Sequence, residues 1–212
     1  MKKLIPLKLV SILALTACLG GALSACAPMI VGSAVVGSYM ATDRRTTGAQ
    51  VEDEGIELRA ASLIRENLGE RVHVNVTSFN RQLLLTGEVP NAQDKQLVEQ
   101  VVSKVPNVRA IVNELAVMGS TSLTQRSSDV IVTGRVKAGM LDAKDLFANA
   151  FKVVTERGTV YLMGRVTQRE ANHATDMARS TSGVLKVVRL LEIISEEELQ
   201  GMQAKPAADL KK

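Results

Sequence analysis

Between residues 50 and 194 the spacing of apolar positions switches twice between a helical and a strand period, and the whole order then recurs. Ile56, Ala60, Leu63 and Ile64 fall at i, i+4, i+7 and i+8, which places one apolar stripe along a helix. Val74, Val76 and Ser78 then alternate with polar neighbours, as a half-buried strand requires. The stretch 74–89 reappears as 151–166. Val74 matches Phe151, Val76 matches Val153, Leu83 matches Val160, Leu85 matches Leu162, Gly87 matches Gly164 and Val89 matches Val166, all at an offset of 77. Asn80-Arg81 and Arg157-Gly158 stand where hairpin turns belong. The matched glycines sit late in the second strand, where glycine marks a bulge or a close approach of another backbone.

A helix is predicted after each hairpin. Residues 91–104 carry Ala92, Leu97, Val101 and Val105. Residues 169–180 carry Ala171, Ala174 and Ala178, small enough for the helix to lie close to a sheet. Pro106-Asn107 and Ser182-Gly183 end these helices, and final strands follow at 108–117 and 184–194. The helix before the second hairpin carries Val132, Val136, Gly139 and Met140, the offset-76 counterparts of the first stripe. The fold class is therefore α+β: two tandem αββαβ domains, at 50–118 and 124–194, each a three-stranded sheet covered by two helices. Domains of about 65–70 residues are marginal alone, so the two are expected to pack on each other or to lean on linkers.

The N-terminal residues read differently. Lys2, Lys3 and Lys8 precede an apolar stretch at 9–19 that is too short to span a bilayer. Leu23-Ser24-Ala25-Cys26 resembles a bacterial lipobox, in which the cysteine thiol is acylated and becomes the new N-terminus. This assigns 1–25 to a lipoprotein signal peptide and Cys26 to the lipid anchor. Leu15-Thr16-Ala17-Cys18 is a rival; Cys26 is favoured because cleavage there leaves a fuller apolar region and a Gly20-Gly21 break. Residue 27 is Ala rather than Asp, which by resemblance to other lipoproteins implies the outer membrane, facing the periplasm. Residues 26–49 form the acylated tether and linker, with a polar stretch at 43–50. Residues 195–212 form a tail, in which Ser195-Glu196-Glu197-Glu198 is a capping box opening a short helix before a polar, disordered end.

Composition narrows the function classes. The formal charge of +4 belongs largely to the leader: without its three lysines, 23 basic residues face 22 acidic ones. Aromatic residues make up 2% of the chain and Trp is absent, so the stacking platforms of single-strand nucleic-acid binding are missing and no nucleic-acid partner is expected. No Gly-x-Ser-x-Gly, His-Glu-x-x-His or phosphate-binding glycine loop occurs, so neither an enzyme nor a cofactor is expected. The two cysteines lie upstream of both domains, and His73 and His173 are far apart in sequence, as surface or half-buried histidines, so no metal site is expected. Glu52-Asp53-Glu54 reads as acidic bias near a helix N-terminus.

The repeated pattern, ending in Leu-Leu-Leu-Thr-Gly-Glu-Val at 83–89 and Val-Tyr-Leu-Met-Gly-Arg-Val at 160–166, resembles the BON domain. With the lipobox, a small-residue tether and Ala41-Thr42-Asp43-Arg44, the chain resembles the dual-BON outer-membrane lipoproteins. That resemblance implies no catalysis. It implies binding of anionic phospholipid (phosphatidylglycerol, cardiolipin), enrichment at division sites and maintenance of outer-membrane integrity.

The two first helices differ in charge. Residues 52–68 carry a net −3 and residues 126–141 a net +2. If Val132, Val136 and Met140 face the core, Ile131 points about 100° away and shares a side with Arg135. The resemblance puts the lipid contact on this helix and an inserted aromatic at the position of Ile131, from which this sequence departs. The expected contact set is Val130, Ile131, Gly134, Arg135, Lys137 and Ala138. The same residues also allow an ordinary boundary isoleucine on a solvated face. The alternative function is a protein-binding adaptor that presents a sheet edge or the acidic 52–57 face to outer-membrane assembly proteins.

Overall fold

The structure, a computed structural model, describes residues 43–203 apart from residue 144, all within one compact unit, Tyr39–Lys212. The expected signal peptide, Cys18, Cys26, most of the expected tether and the tail after 203 lie outside the described residues. The first domain runs α1 (Thr47–Leu68), a 3-10 turn (Gly69–Arg71), β1 (His73–Phe79), β2 (Gln82–Val89), α2 (Ala92–Val102), β3 (Ala110–Asn113) and β4 (Ala116–Val117). The second runs α3 (Leu123–Asp142), a 3-10 turn (Ala148–Ala150), β5 (Phe151–Glu156), β6 (Thr159–Thr167), α4 (Gln168–Ser180) and β7 (Lys186–Ile194). Helix α5 (Glu196–Gln203) closes the described chain, with Ser195 Oγ accepting from Glu198 N–H.

Each hairpin is antiparallel, and the strand after the crossover helix returns parallel to the middle strand, giving orders β1-β2-β3 and β5-β6-β7. The last strand of the first domain is broken into β3 and β4, both paired with β2. Asn113 causes the break: its side chain accepts from Leu115 N–H and donates to Lys95 O and Glu99, so Leu115 turns into the core.

Both cores lie between sheet and helices. Ile56, Ala60 and Ile64 pack on Leu83, Leu85 and Val89; Val132, Val136 and Met140 pack on Val153, Leu162 and Val166. On α4 the buried Ala171, Ala174 and Ala178 do bring the helix close. On α2 the apolar face is set by Val98, Val101 and Val102, and Ala92 is exposed, because the helix opens at Ala92 with Asn91 as its cap. The two glycines mark close approaches. A Cβ on Gly164 would meet Ala150 O at 2.5 Å, and one on Gly87, at φ +111°, would strike His73 O.

The two sheets meet through their helix-free faces, so the unit is layered helix, sheet, sheet, helix. Phe79 and Leu84 pack there on Tyr161 and Met163, flanked by Val112, Val154, Val188 and Leu190. Polar links ring this second core. Arg157 Nη1 donates to Glu88 Oε1 at 2.8 Å, Lys152 Nζ to Glu57 Oε1 at 2.7 Å and Asn80 Nδ2 to Glu192 Oε2 at 2.6 Å. Burial pushes the Glu88 carboxyl up, but Thr121 N–H, His73 and Arg157 outweigh it and hold the group below the usual range. Against the same interface, burial and Glu114 push the Tyr161 hydroxyl up to about 12.

The 43–50 segment is not a free linker. Residues 47–50 are the first turn of α1, capped by Thr46. Arg44 forks onto Glu170 with two bonds of 2.7 Å and donates to Arg165 O at 2.9 Å, while lying over Phe147. Arg45 bonds Asp43 and Asp53 and stacks 4.3 Å above Phe79. Successive arginines thus tie this segment to the second domain and to the first.

Candidate functional site

The first helix of each domain does two jobs, and the inward one is the same in both. Asp53 of α1 accepts Asn80 N–H and Arg81 N–H at 2.7 Å each and Ser78 Oγ–H at 2.7 Å. Asp129 of α3 accepts Arg157 N–H at 2.8 Å and Gly158 N–H at 2.9 Å. All four turn residues have positive φ, between +48° and +70°, as a tight I′ hairpin turn demands, and three of the four are not glycine. The carboxylate holds the two amides such a turn points inward. Asp53 is therefore a hairpin clamp and not helix-terminal charge bias. Burial raises its pKa, but the bonds from Arg81, Ser78, Arg45 and Asn80 outweigh that and lower it.

The outward faces differ. On α3, Asp129, Val132, Val136 and Met140 are buried, and Ser122 caps the start by accepting from Gln125 N–H. On the side opposite that face, Leu123, Val130, Gly134 and Leu141 follow one another at spacings of seven, four and seven, one line down the helix. Leu123, Val130 and Leu141 are 71–79% exposed. Ile131, at 54%, and the exposed Ala138 widen the line on one side. Arg135 lies beyond Ile131 and donates to Ser182 O at 3.3 Å; Arg126 and the exposed Lys137 border the other side. A Cβ on Gly134 would meet nothing within 4 Å, so a flat object can approach the backbone there. All six expected contact residues of α3 are thus on its exposed side, and Leu123 and Leu141 extend it. The seven-residue spacing from Leu123 to Val130 carried that signal in the sequence.

Helix α1 also exposes apolar residues, Val51 and Leu58, but among acids. Most of those acids are engaged. Glu52 is bonded to Arg59 and Asn107, Asp53 is buried, and Glu57 holds Lys152 and Ser78 N–H, which leaves Glu54 the freest of the 52–57 carboxylates. His73 and His173 pair with Glu88 and Asp145 at 3.0 Å each. Among the described residues no three acids, histidines or cysteines gather as a metal site, and no helix is long and apolar enough to cross a membrane.

Comparison with known proteins fits both repeats. The BON domain matches residues 53–119 and again residues 128–195. The chain belongs to the BON-domain family. It is 35% identical over 174 residues to outer membrane lipoprotein DolP of Haemophilus influenzae, covering 81% of this chain and 90% of that protein, which makes it a dual-BON protein of the DolP family. It is 30% identical over 154 residues to a 21 kDa hemolysin of Actinobacillus pleuropneumoniae, covering 72% of this chain and 79% of that one. A solved structure of CdsD, a structural protein of the type III secretion system of Chlamydia trachomatis, overlaps 70% of this chain and 97% of its own at 12% identity, with a TM-score of 0.27.

Proposed function

We propose that this BON protein is an outer-membrane lipoprotein, acylated at Cys26 and facing the periplasm, that binds anionic phospholipid through helix α3. Its role on this reading is to support outer-membrane integrity, with division sites as its place of action, and it needs no catalytic step. The observation that carries the reading is the apolar line of α3, exposed opposite the core and bordered by Arg126, Arg135 and Lys137. An exposed apolar stripe with basic borders suits a helix lying in the headgroup region. The name of the Haemophilus influenzae relative supports the compartment.

Burying one side chain such as Ile131 contributes about 1.5–3 kcal/mol. Each cation near an anionic surface adds about 1 kcal/mol. With Arg135 and Lys137 the total is about 3.5–5 kcal/mol, roughly millimolar to a few hundred micromolar before association costs. That is weak in solution but sufficient once an acyl anchor holds the domain at the membrane. The anchor retains the protein, and α3 selects the lipid, phosphatidylglycerol or cardiolipin.

Co-sedimentation of residues 43–212 with neutral vesicles and with vesicles containing phosphatidylglycerol tests this. Binding to the anionic vesicles alone, lost in Ile131→Asp and kept in Leu58→Asp, is the expected result. Equal binding to both vesicles, or none, would overturn it. One observation favours a protein partner on the other helix: Val51 and Leu58 lie exposed in an acidic setting that an anionic membrane would repel. An outer-membrane assembly protein with a basic surface is the partner that face fits.

A further inference from the structure

The most exposed large apolar side chain among the described residues is not on α3. It is Leu185, 83% exposed, in the loop between α4 and β7. The loop is tightly held. Val184 N–H bonds back to Thr181 O at 3.1 Å, and Leu185 N–H donates to Gly158 O at 2.8 Å. Gly183, at φ +95°, lies so close to α3 that a Cβ there would meet Val132 Cγ2 at 2.7 Å, and Arg135 reaches the loop through Ser182 O. The Leu185 side chain lies over Gly158, whose own N–H is clamped by Asp129 of α3. Helix α3, the β5–β6 turn and this loop are thus bound into one end of the second domain. Met118, Ser122, Ser128 and Leu185 line a single shallow hollow there.

Apart from its contact over Gly158, this leucine is held out into water by the hydrogen-bonded loop. Its surroundings indicate what covers it. Residues 181–186 include no acid and end in the exposed Lys186, and Arg135 stands on the adjoining side of α3. Asp129 is consumed by the turn amides, and Asp176 of α4 is paired with Arg179 at 3.6 Å. An apolar tip set among cations is complementary to an anionic bilayer.

We infer that Leu185 is a second inserting side chain, so that the bilayer-binding surface is a two-element rim made by α3 on one side and the 181–186 loop on the other. This rests on the reading of α3 as the lipid-contacting helix. It adds that apolar insertion is shared between Ile131 and Leu185, and that the second domain meets the bilayer end-on at the rim as well as along the helix.

The chain has no tryptophan, so single-tryptophan variants report each position alone. Both cores lie within 43–203, so residues 43–212 serve as the soluble protein. Ile131→Trp, Leu185→Trp and Leu58→Trp would be mixed with neutral vesicles and with phosphatidylglycerol-containing vesicles, each with and without brominated acyl chains. A blue shift and bromine quenching at both 131 and 185, on anionic vesicles only and not at 58, is the expected result. Quenching at 131 with a water-like spectrum at 185 would overturn this inference and leave the α3 reading standing. No response at either position would overturn both. Because tryptophan itself favours the interface, Leu185→Asp provides the second measurement. It should weaken partitioning onto anionic vesicles about tenfold, or about 1.4 kcal/mol, with an unchanged melting temperature. Unchanged partitioning would overturn the inference.

Discussion

Replacing Arg44 by alanine strips Glu170 of its cation. The two side chains are 6% and 0% exposed, and the carboxylate takes two 2.7 Å bonds from the guanidinium and one of 2.9 Å from Thr167 N–H. Stripping one partner from a sealed ion pair costs about 3–5 kcal/mol. The site does not stay sealed, because truncating Arg44 removes the side chain that covers Glu170 and leaves a polar void that water can enter. Rehydration limits the loss to the charge-assisted bonds themselves, about 1.5–3 kcal/mol. The lower route wins, so Arg44→Ala should lose about 1.5–3 kcal/mol in urea unfolding followed by circular dichroism. Glu170→Gln, which needs no cation and still accepts from Thr167, should lose less, and the double variant should show a coupling above about 1 kcal/mol. Burial pushes the Glu170 carboxyl up, but Arg44 and the Thr167 amide outweigh it and lower its pKa. Its stabilisation is therefore complete above the unfolded value of about 4.3 and is lost as pH falls through the folded one. The Arg44→Ala deficit should shrink in the same window. A loss under about 0.5 kcal/mol at pH 7, or one equally large at pH 3, would refute the reasoning.

Two further outcomes follow from the carboxylates. Asp129→Ala strands the Arg157 and Gly158 amides at a turn with positive φ, so it should cost about 2–4 kcal/mol in the same unfolding assay, and Asp53→Ala should cost at least as much because three donors and Arg45 lose their acceptor. Asp53, Glu88 and Glu170 all have lowered pKa values, so stability should be flat above about pH 5 and fall below about pH 4, as thermal melts across that range would show.

Much of this architecture was legible because the repeat exposes it. Matched apolar positions at one offset define two hairpins, and their flanking stripes define the helices. Size alone points to packing between the domains, but not to which faces meet, although a signal for a sheet-to-sheet interface is present. Leu83-Leu84-Leu85 and Val160-Tyr161-Leu162-Met163 are continuous apolar runs, and a strand with one wet face would alternate. Leu84, Tyr161 and Met163 are the residues that break alternation, and they form the second core. The hairpin clamp was hidden for a different reason. Asp53 and Asp129 match at the offset of the first helices, but an acid near a helix start has an ordinary electrostatic explanation, and only the fold brings the turn beneath it. Arg44 and Arg45 look like solvated linker charges because their partners lie in both domains, more than a hundred residues away in the case of Glu170. On the candidate surface, the α3 residues were readable from helical phase. Leu185 was not, because its exposure depends on how Gly183 seats the loop against Val132.

The central claim is that anionic lipid is read by the basic, apolar side of the second domain. Its most direct test is the amide spectrum of residues 43–212 on phosphatidylglycerol-containing bicelles, with and without a spin-labelled lipid. The account predicts broadening concentrated at 123–141 and in the 181–186 loop, with residues 47–68 unaffected. Broadening centred on 47–68, or none on anionic bicelles, would contradict it.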